Sequence, residues 1–221
     1  MPEHAPPAKI EATRSYGAEI RFGADTTKLM PIVQQLRDER GLRFVPPFDD
    51  DDVIAGQGTV GLEIMEDLRD ADLVVVPVGG GGLISGVALA VAELRPGARV
   101  VGVEPEGAQA VRLGLAAGKP VKLDSVRTVA DGLAAPFAGE RNLEIIRRLV
   151  SDVVVVSDEE IVEALRFIAA RARLVVEPAA AAGVAALLMG RVTVVPGQRV
   201  VAILTGANID LTRAGELLAP A

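Results

Sequence analysis

Short β-branched runs alternate with longer helical stretches along the chain. Residues 5–16 read as a helix, with Gly17 placed to end it in a left-handed turn. Residues 19–22 predict a short strand, 25–40 a helix and 42–45 another strand, after which Pro46-Pro47 stops regular structure. Asp49 to Asp52 reads as a solvated acidic turn, because four adjacent acids do not converge on one cation without an unusual loop. Beyond it, helices are expected over 59–69, 83–94, 108–117, 142–149, 157–173 and 177–189. Strands are expected over 73–78, 99–103, 153–156 and 199–204. The nearly pure valine run at 153–156 suits a strand buried on both faces of a parallel sheet. Ser157 and Glu160 have the spacing of a capping box. This alternation predicts an α/β fold with a mainly parallel sheet flanked by helices, and a boundary near Asp52.

Composition narrows the chemistry. With 221 residues, half of them hydrophobic, the chain can bury a real core. No apolar run, residues 178–189 included, reaches the roughly 20 residues that span a bilayer. The first residues lack the basic-then-apolar order of a signal peptide, so the expected location is the cytoplasm. The absence of cysteine removes disulfides, thiolate nucleophiles and thiol-bound zinc. A net charge of -7 and only six aromatic residues argue against nucleic-acid binding. The single histidine, His4, lies near the N-terminus and makes a histidine-based triad or metal site improbable. Carboxylates, hydroxyls, lysines or a bound cofactor must carry any chemistry.

Four glycines, Gly79 to Gly82, follow the expected strand 73–78 and precede a helix. In an open parallel sheet that position is where ligands bind. Glycine lets successive amide N–H groups converge on an anion, and the helix start adds its positive end. A phosphate is the natural guest, and a flexible linker is the weaker reading, because strand and helix flank the glycines so tightly. No Gly-Lys-Ser/Thr follows, which excludes a Walker-type loop. A dinucleotide fingerprint remains open on spacing: Gly80-x-Gly82 is followed by Ser85, and Glu104 ends the next strand where a ribose-binding acid is expected.

The stretches "MPEHAPPAKIEATRSYGAEI", "PPFDDDDVIAGQGTVGLEI", "VVVPVGGGGLISG", "VVGVEP", "TVADGLA", "VVEPAAAAGVAAL" and "VVAILTGANIDL" occur in an order that resembles the threonine dehydratase and serine racemase group. These are pyridoxal-phosphate enzymes with the tryptophan-synthase-β fold (fold type II). The resemblance covers the whole chain and implies pyridoxal 5'-phosphate as cofactor. It implies that Gly79, Gly80, Gly81, Gly82 and Leu83 cradle the cofactor phosphate and that Thr205 hydrogen-bonds the pyridine nitrogen. Asp131-Gly132 and Glu177 also belong to the family pattern. A dehydratase would eliminate ammonia from threonine or serine to give a 2-oxo acid; a racemase shares the early steps. The full-length enzyme is expected to be a homo-oligomer acting on a free amino acid, with no membrane partner.

The chain departs from that pattern at several points. Pro46-Pro47-Phe48 stands where the family has His-Pro-Phe, and Ala207 interrupts a usual Ser-Gly-Gly-Asn. Members with a divalent-cation site use the acid corresponding to Glu104, a carbonyl near Ala108 and an acid six residues after the first. That last position is Ala110 here, so no metal site is expected. The family's Schiff-base lysine lies in a Ser-x-Lys-x-Arg-Gly segment, upstream of a Ser-Gly-Asn-His-Ala-Gln-Gly loop that grips the substrate carboxylate. Neither segment occurs in this chain. Lys9 and Lys28 read as helix-surface residues, and Lys119 and Lys122 as residues of a polar loop. The expectation is therefore an N-terminally truncated member, with residues 1–52 a remnant of the smaller domain and 53–221 the larger cofactor domain. Such a chain would be inactive alone and prone to aggregate or to need a missing N-terminal half. A split enzyme, or a non-catalytic phosphate- or dinucleotide-binding module, are the alternatives.

Overall fold

The computed structural model describes residues 1–3, 5–25 and 28–219; His4 lies outside them. Four parallel strands form one sheet in the order β3-β2-β1-β4. They are β1 (Leu73–Pro77), β2 (Arg99–Pro105), β3 (Asp152–Val156) and β4 (Val200–Ala202). β1 is buried along its whole length and sends alternate side chains to opposite faces. Leu73 and Val75 enter one core with Val101, Val103 and helices α7 (Asp158–Ala172), α8 (Pro178–Leu188) and α9 (Leu211–Leu218). Val74 and Val76 enter the other with α4 (Gly82–Leu94), α5 (Ala110–Ala117), α6 (Glu140–Leu149) and Met65 of α3 (Asp51–Asp67). The alanines of α8, six of them fully buried or nearly so, let that helix lie close to the sheet. A Cβ added at Gly86 would stand 2.4 Å from the Ile54 carbonyl oxygen, which shows how closely α3 and α4 pack.

The chain runs β1, α4, β2, α5 and α6, β3 toward one edge and then crosses by α7 and α8 to place β4 on the far side of β1. The strand order therefore reverses between β1 and β4, and crevices at such reversals receive ligands. Pro77 opens this one. The β1–β4 ladder runs through Leu73 N–H to Arg199 O and ends with Ile203 N–H to Val75 O. The next bond would need an N–H from residue 77, and proline has none.

Several expectations change here. The strands expected at 19–22 and 42–45 do not form; Pro2 and Gly23 make an isolated bridge instead. A strand needs a neighbour to satisfy its backbone. Residues 1–3 meet only the end of the first run, through Met1 N to Arg21 O, Gly23 N–H to Met1 O and Glu3 N–H to Gly23 O, and among the described residues no segment pairs with 42–45. α1 (Pro7–Ser15) and α2 (Leu29–Arg40) complete the N-terminal region, and α2 has no buried residue. The acidic turn is not a free loop. Asp50 caps α3, accepting from the N–H groups of Asp52 and Val53, while Asp51 and Asp52 occupy the first turn. Carboxylates suit the positive end of a helix, so α3 starts well before the expected residue 59. β3 is an edge strand with Val154 and Val155 half-buried, not a strand covered on all sides. The capping box of Ser157 and Glu160 forms as expected.

Candidate active site

One cavity of about 700 Å³ sits at the carboxyl ends of β1 and β4. Gly79, Gly80, Gly81, Gly82, Leu83 and Thr205 all line it, joined by Asp131 and Glu177. Leu29, Met30 and Phe44, with Pro46 to Phe48, bring the N-terminal region to the same cavity. The six residues singled out in the sequence are thus brought together, although 123 positions separate Gly82 from Thr205.

The glycines are required by close packing. A side chain at Gly80 would meet the Phe48 ring at 2.4 Å, at Gly82 the Phe48 Cβ at 2.9 Å, and at Gly79 the Leu133 backbone at 3.3 Å. Gly81 has φ +99°, and its Cβ would lie 2.9 Å from that of Asn142. Phe48 is itself held by an edge-on contact with Phe137, ring centroids 5.5 Å apart. Among the described residues, the N–H groups of Gly79, Gly80 and Gly81 donate to no protein acceptor. Gly80, Gly81 and Gly82 are buried. Buried amides are almost always paired, so orphaned ones beside a cavity point to a bound acceptor. With the N-terminus of α4 behind them, an anion such as a phosphate fits.

Carboxylates frame another part of the cavity. Glu177 precedes α8, and its N–H donates to the Gly206 carbonyl at 3.1 Å, which ties α8 to the segment carrying Thr205. Lys9 does not sit on an indifferent helix surface. Its Nζ donates to Asp131 Oδ2 at 2.7 Å and Glu177 Oε2 at 3.4 Å. Burial works against the Lys9 charge, but the bond and attraction to Asp131, and then Glu177, outweigh it and raise its pKa. A lysine held protonated in this way is a poor nucleophile.

Glu104 stands apart from the cavity. It is fully buried in β2, and its two oxygens accept N–H bonds from Val111 and Arg112, each 2.8 Å, at the start of α5. Burial pushes its carboxyl up to about 7 against the opposing effect of those bonds and of the Arg112 charge. It does not line the cavity and is not placed to hold a ribose. Among the described residues no cluster of three metal-ligating side chains occurs.

Two contributors escaped the sequence reading. Asn142, in the first turn of α6, donates from Nδ2 to the carbonyls of Gly80 and Phe48, both at 3.1 Å. Asp49 accepts from the N–H groups of Glu140 and Arg141 at 3.1 and 3.2 Å, capping α6 from across the site. The acid signal of Asp49 was visible; its partner 91 residues away was not.

The family described as "Pyridoxal-phosphate dependent enzyme" matches residues 1–206. The chain is 42% identical over 219 residues to an L-threo-3-hydroxyaspartate ammonia-lyase of Saccharomyces cerevisiae, covering 99% of this chain and 67% of that protein. It is 45% identical over 212 residues to an L-threonine ammonia-lyase of Geobacter sulfurreducens, covering 96% of this chain and 52% of that protein. The solved structure of maize serine racemase superposes with a TM-score of 0.89 at 36% identity, covering 97% of this chain and 67% of that one. The chain thus spans between about half and two thirds of the length of these relatives.

Proposed function

Since the chain belongs to the family of pyridoxal-phosphate-dependent enzymes, we propose that it forms the cofactor-binding part of an L-threonine or L-serine ammonia-lyase, which yields a 2-oxo acid. The cofactor of this family is pyridoxal 5'-phosphate. The observation that carries the reading is the set of orphaned glycine amides at one end of a cavity that Thr205 also lines. Bound pyridoxal phosphate supplies an electron sink that acidifies the α-proton of an amino acid. The N–H groups of Gly79, Gly80 and Gly81 and the positive end of α4 would hold its phosphate, and Leu83 would flank it. Thr205 would offer a neutral hydroxyl to the ring nitrogen. A hydroxyl would leave that nitrogen mostly neutral, where a carboxylate would hold a proton on it and deepen the sink. The weaker sink suits β-elimination, in which a departing hydroxyl carries off the electron pair. Lys9, by bridging Asp131 and Glu177, keeps two carboxylates from crowding the cavity with uncompensated charge.

Support for the substrate class comes from relatives named for threonine, for 3-hydroxyaspartate and for serine, each an amino acid with a β-hydroxyl. The same proposal treats residues 1–52 as a remnant of the smaller domain and 53–221 as the larger one. It places the whole enzyme in the cytoplasm as a homo-oligomer. Among the described residues, no helix is long and apolar enough to cross a membrane.

The test supplies this chain with pyridoxal phosphate, threonine or serine, and a polypeptide carrying the Ser-x-Lys-x-Arg-Gly and Ser-Gly-Asn-His-Ala-Gln-Gly segments, in cis or in trans. The expected outcome is no 2-oxo acid from the chain alone and 2-oxobutyrate or pyruvate when the segments are present. D-Serine without 2-oxo acid would replace the lyase by a racemase. Undiminished 2-oxobutyrate formation by the chain alone would overturn the division of labour.

A further inference from the structure

We propose that Asn142 is a positioning residue for the cofactor phosphate: it holds the Gly80 carbonyl inward and so aims the Gly81 N–H into the cavity. The inference rests on the reading of the glycine loop as a phosphate seat. Asn142 is fully buried and stands in the first turn of α6. Its Nδ2 donates to Gly80 O, which also accepts from Gly139 N–H at 3.1 Å. Two donors therefore fix one loop carbonyl on the side away from the cavity. The Gly80–Gly81 peptide is trans, so its N–H points opposite to its C=O. Gly81 O in turn accepts from Ser85 N–H at 3.0 Å, which fixes the following peptide as well.

The orientation of the Asn142 amide follows from its partners. The alternative flip would set Oδ1 against two carbonyl oxygens, so Nδ2 must face Gly80 and Phe48. Oδ1 is left buried without a partner among the described residues. A side chain kept for packing alone would not carry that penalty, since an apolar residue of the same size would avoid it. The same Nδ2 also holds the carbonyl of Phe48, whose ring and Cβ pack against Gly80 and Gly82. Asn142 thereby clamps both layers of the loop at once.

The experiment titrates inorganic phosphate into the full isotope-labelled chain and follows backbone amides by NMR, comparing wild type with Asn142→Leu and Asn142→Asp. Leucine keeps the volume and removes the donor; aspartate keeps the shape and turns the donor into an acceptor. In the wild type, phosphate should move the Gly81 amide downfield, and the Asn142 side-chain protons should exchange slowly. In either variant that folds, phosphate affinity should fall by about tenfold, the size expected when a hydrogen bond to a charged group is misaligned, and the Gly81 response should disappear. A folded variant that binds phosphate as the wild type does, with the Gly81 shift intact, would overturn the role of Asn142 and leave the phosphate seat standing. If no amide from Gly79 to Leu83 responds in the wild type, the phosphate seat fails and this inference with it. Should neither variant fold, the wild type still decides: an unmoved Gly81 amide beside responsive Gly79 and Gly80 amides contradicts the inference.

Discussion

Residues 1–50 and residues 51–219 belong to one chain but are held by different means. In the second region, β1 is covered on both faces, and two apolar cores lie on either side of the sheet. In the first, α2 buries nothing, and the extended segment around Leu42 and Val45 leaves both half or more exposed. The first region is fastened at a few points, among them Lys9 on Asp131 and Glu177, Asp49 on the start of α6, and the Phe48 ring against Phe137. Apolar burial makes the second region a fold, whereas the first contributes one side of a site. The contrast shows that a strand-like pattern needs a neighbouring strand before it becomes a strand.

The largest expected difference is in hydrogen exchange. Amides of 17–25 and 28–45 should exchange through local opening, while those of β1 and α4 should require global unfolding and be slower by orders of magnitude. Equal protection in the two regions would erase the distinction. Next in size is a pair of substitutions. Gly86→Ala places a methyl 2.4 Å from Ile54 O and 2.5 Å from Gly58 N, and should cost about 3 kcal/mol by forcing α3 and α4 apart. Leu42→Ser, in the exposed segment, should change stability by no more than about 0.5 kcal/mol. Urea midpoints with an unchanged slope would measure both.

Much of the second region was legible because its signals are local. An apolar run, then four glycines, then a helix defines β1, the loop and α4, and the alternation of strand and helix defines a parallel sheet, whose strand order only the structure shows. Thr205 became legible only through the ordered motifs, since a lone hydroxyl after a strand has a plainer use as a cap. Asn142 and Lys9 were not legible. Their partners lie 62 to 168 residues away, and neither carries a local pattern that tells a site residue from a helix surface. The truncated β4 was hidden for a related reason: the proline that ends its ladder sits on another strand. In the first region the runs at 19–22 and 42–45 misled, because alternation records a preference while pairing decides the outcome.

Glu104 gives a pH-dependent measure of how tightly the second region is built. Its folded-state carboxyl titrates at about 7, above the ordinary 4.5, so the folded chain binds the proton more tightly than the unfolded chain. The stability it lends is complete below pH 4.5 and is lost as pH rises toward 7, amounting to at most about 3 kcal/mol. Thermal melts from pH 4.5 to 8 should show this decline in the wild type and a flatter profile in Glu104→Gln. A wild type that gains stability across that window would contradict the assignment. A smaller effect than that of Glu104 belongs to the first region's fastening. Lys9→Met should destabilise by only about 0.5–1 kcal/mol, since water screens a partly exposed pair. It should nevertheless speed exchange across α1 more than across α4.

The most direct test of the phosphate seat measures hydrogen exchange at residues 79–83 in the presence of pyridoxal phosphate, pyridoxal or NAD, each at the same concentration. Pyridoxal phosphate is expected to protect these amides, whereas pyridoxal, which lacks the phosphate, and NAD are expected to leave them unchanged. Protection by NAD alone, or equal protection by pyridoxal, would contradict a cofactor seat built around the phosphate.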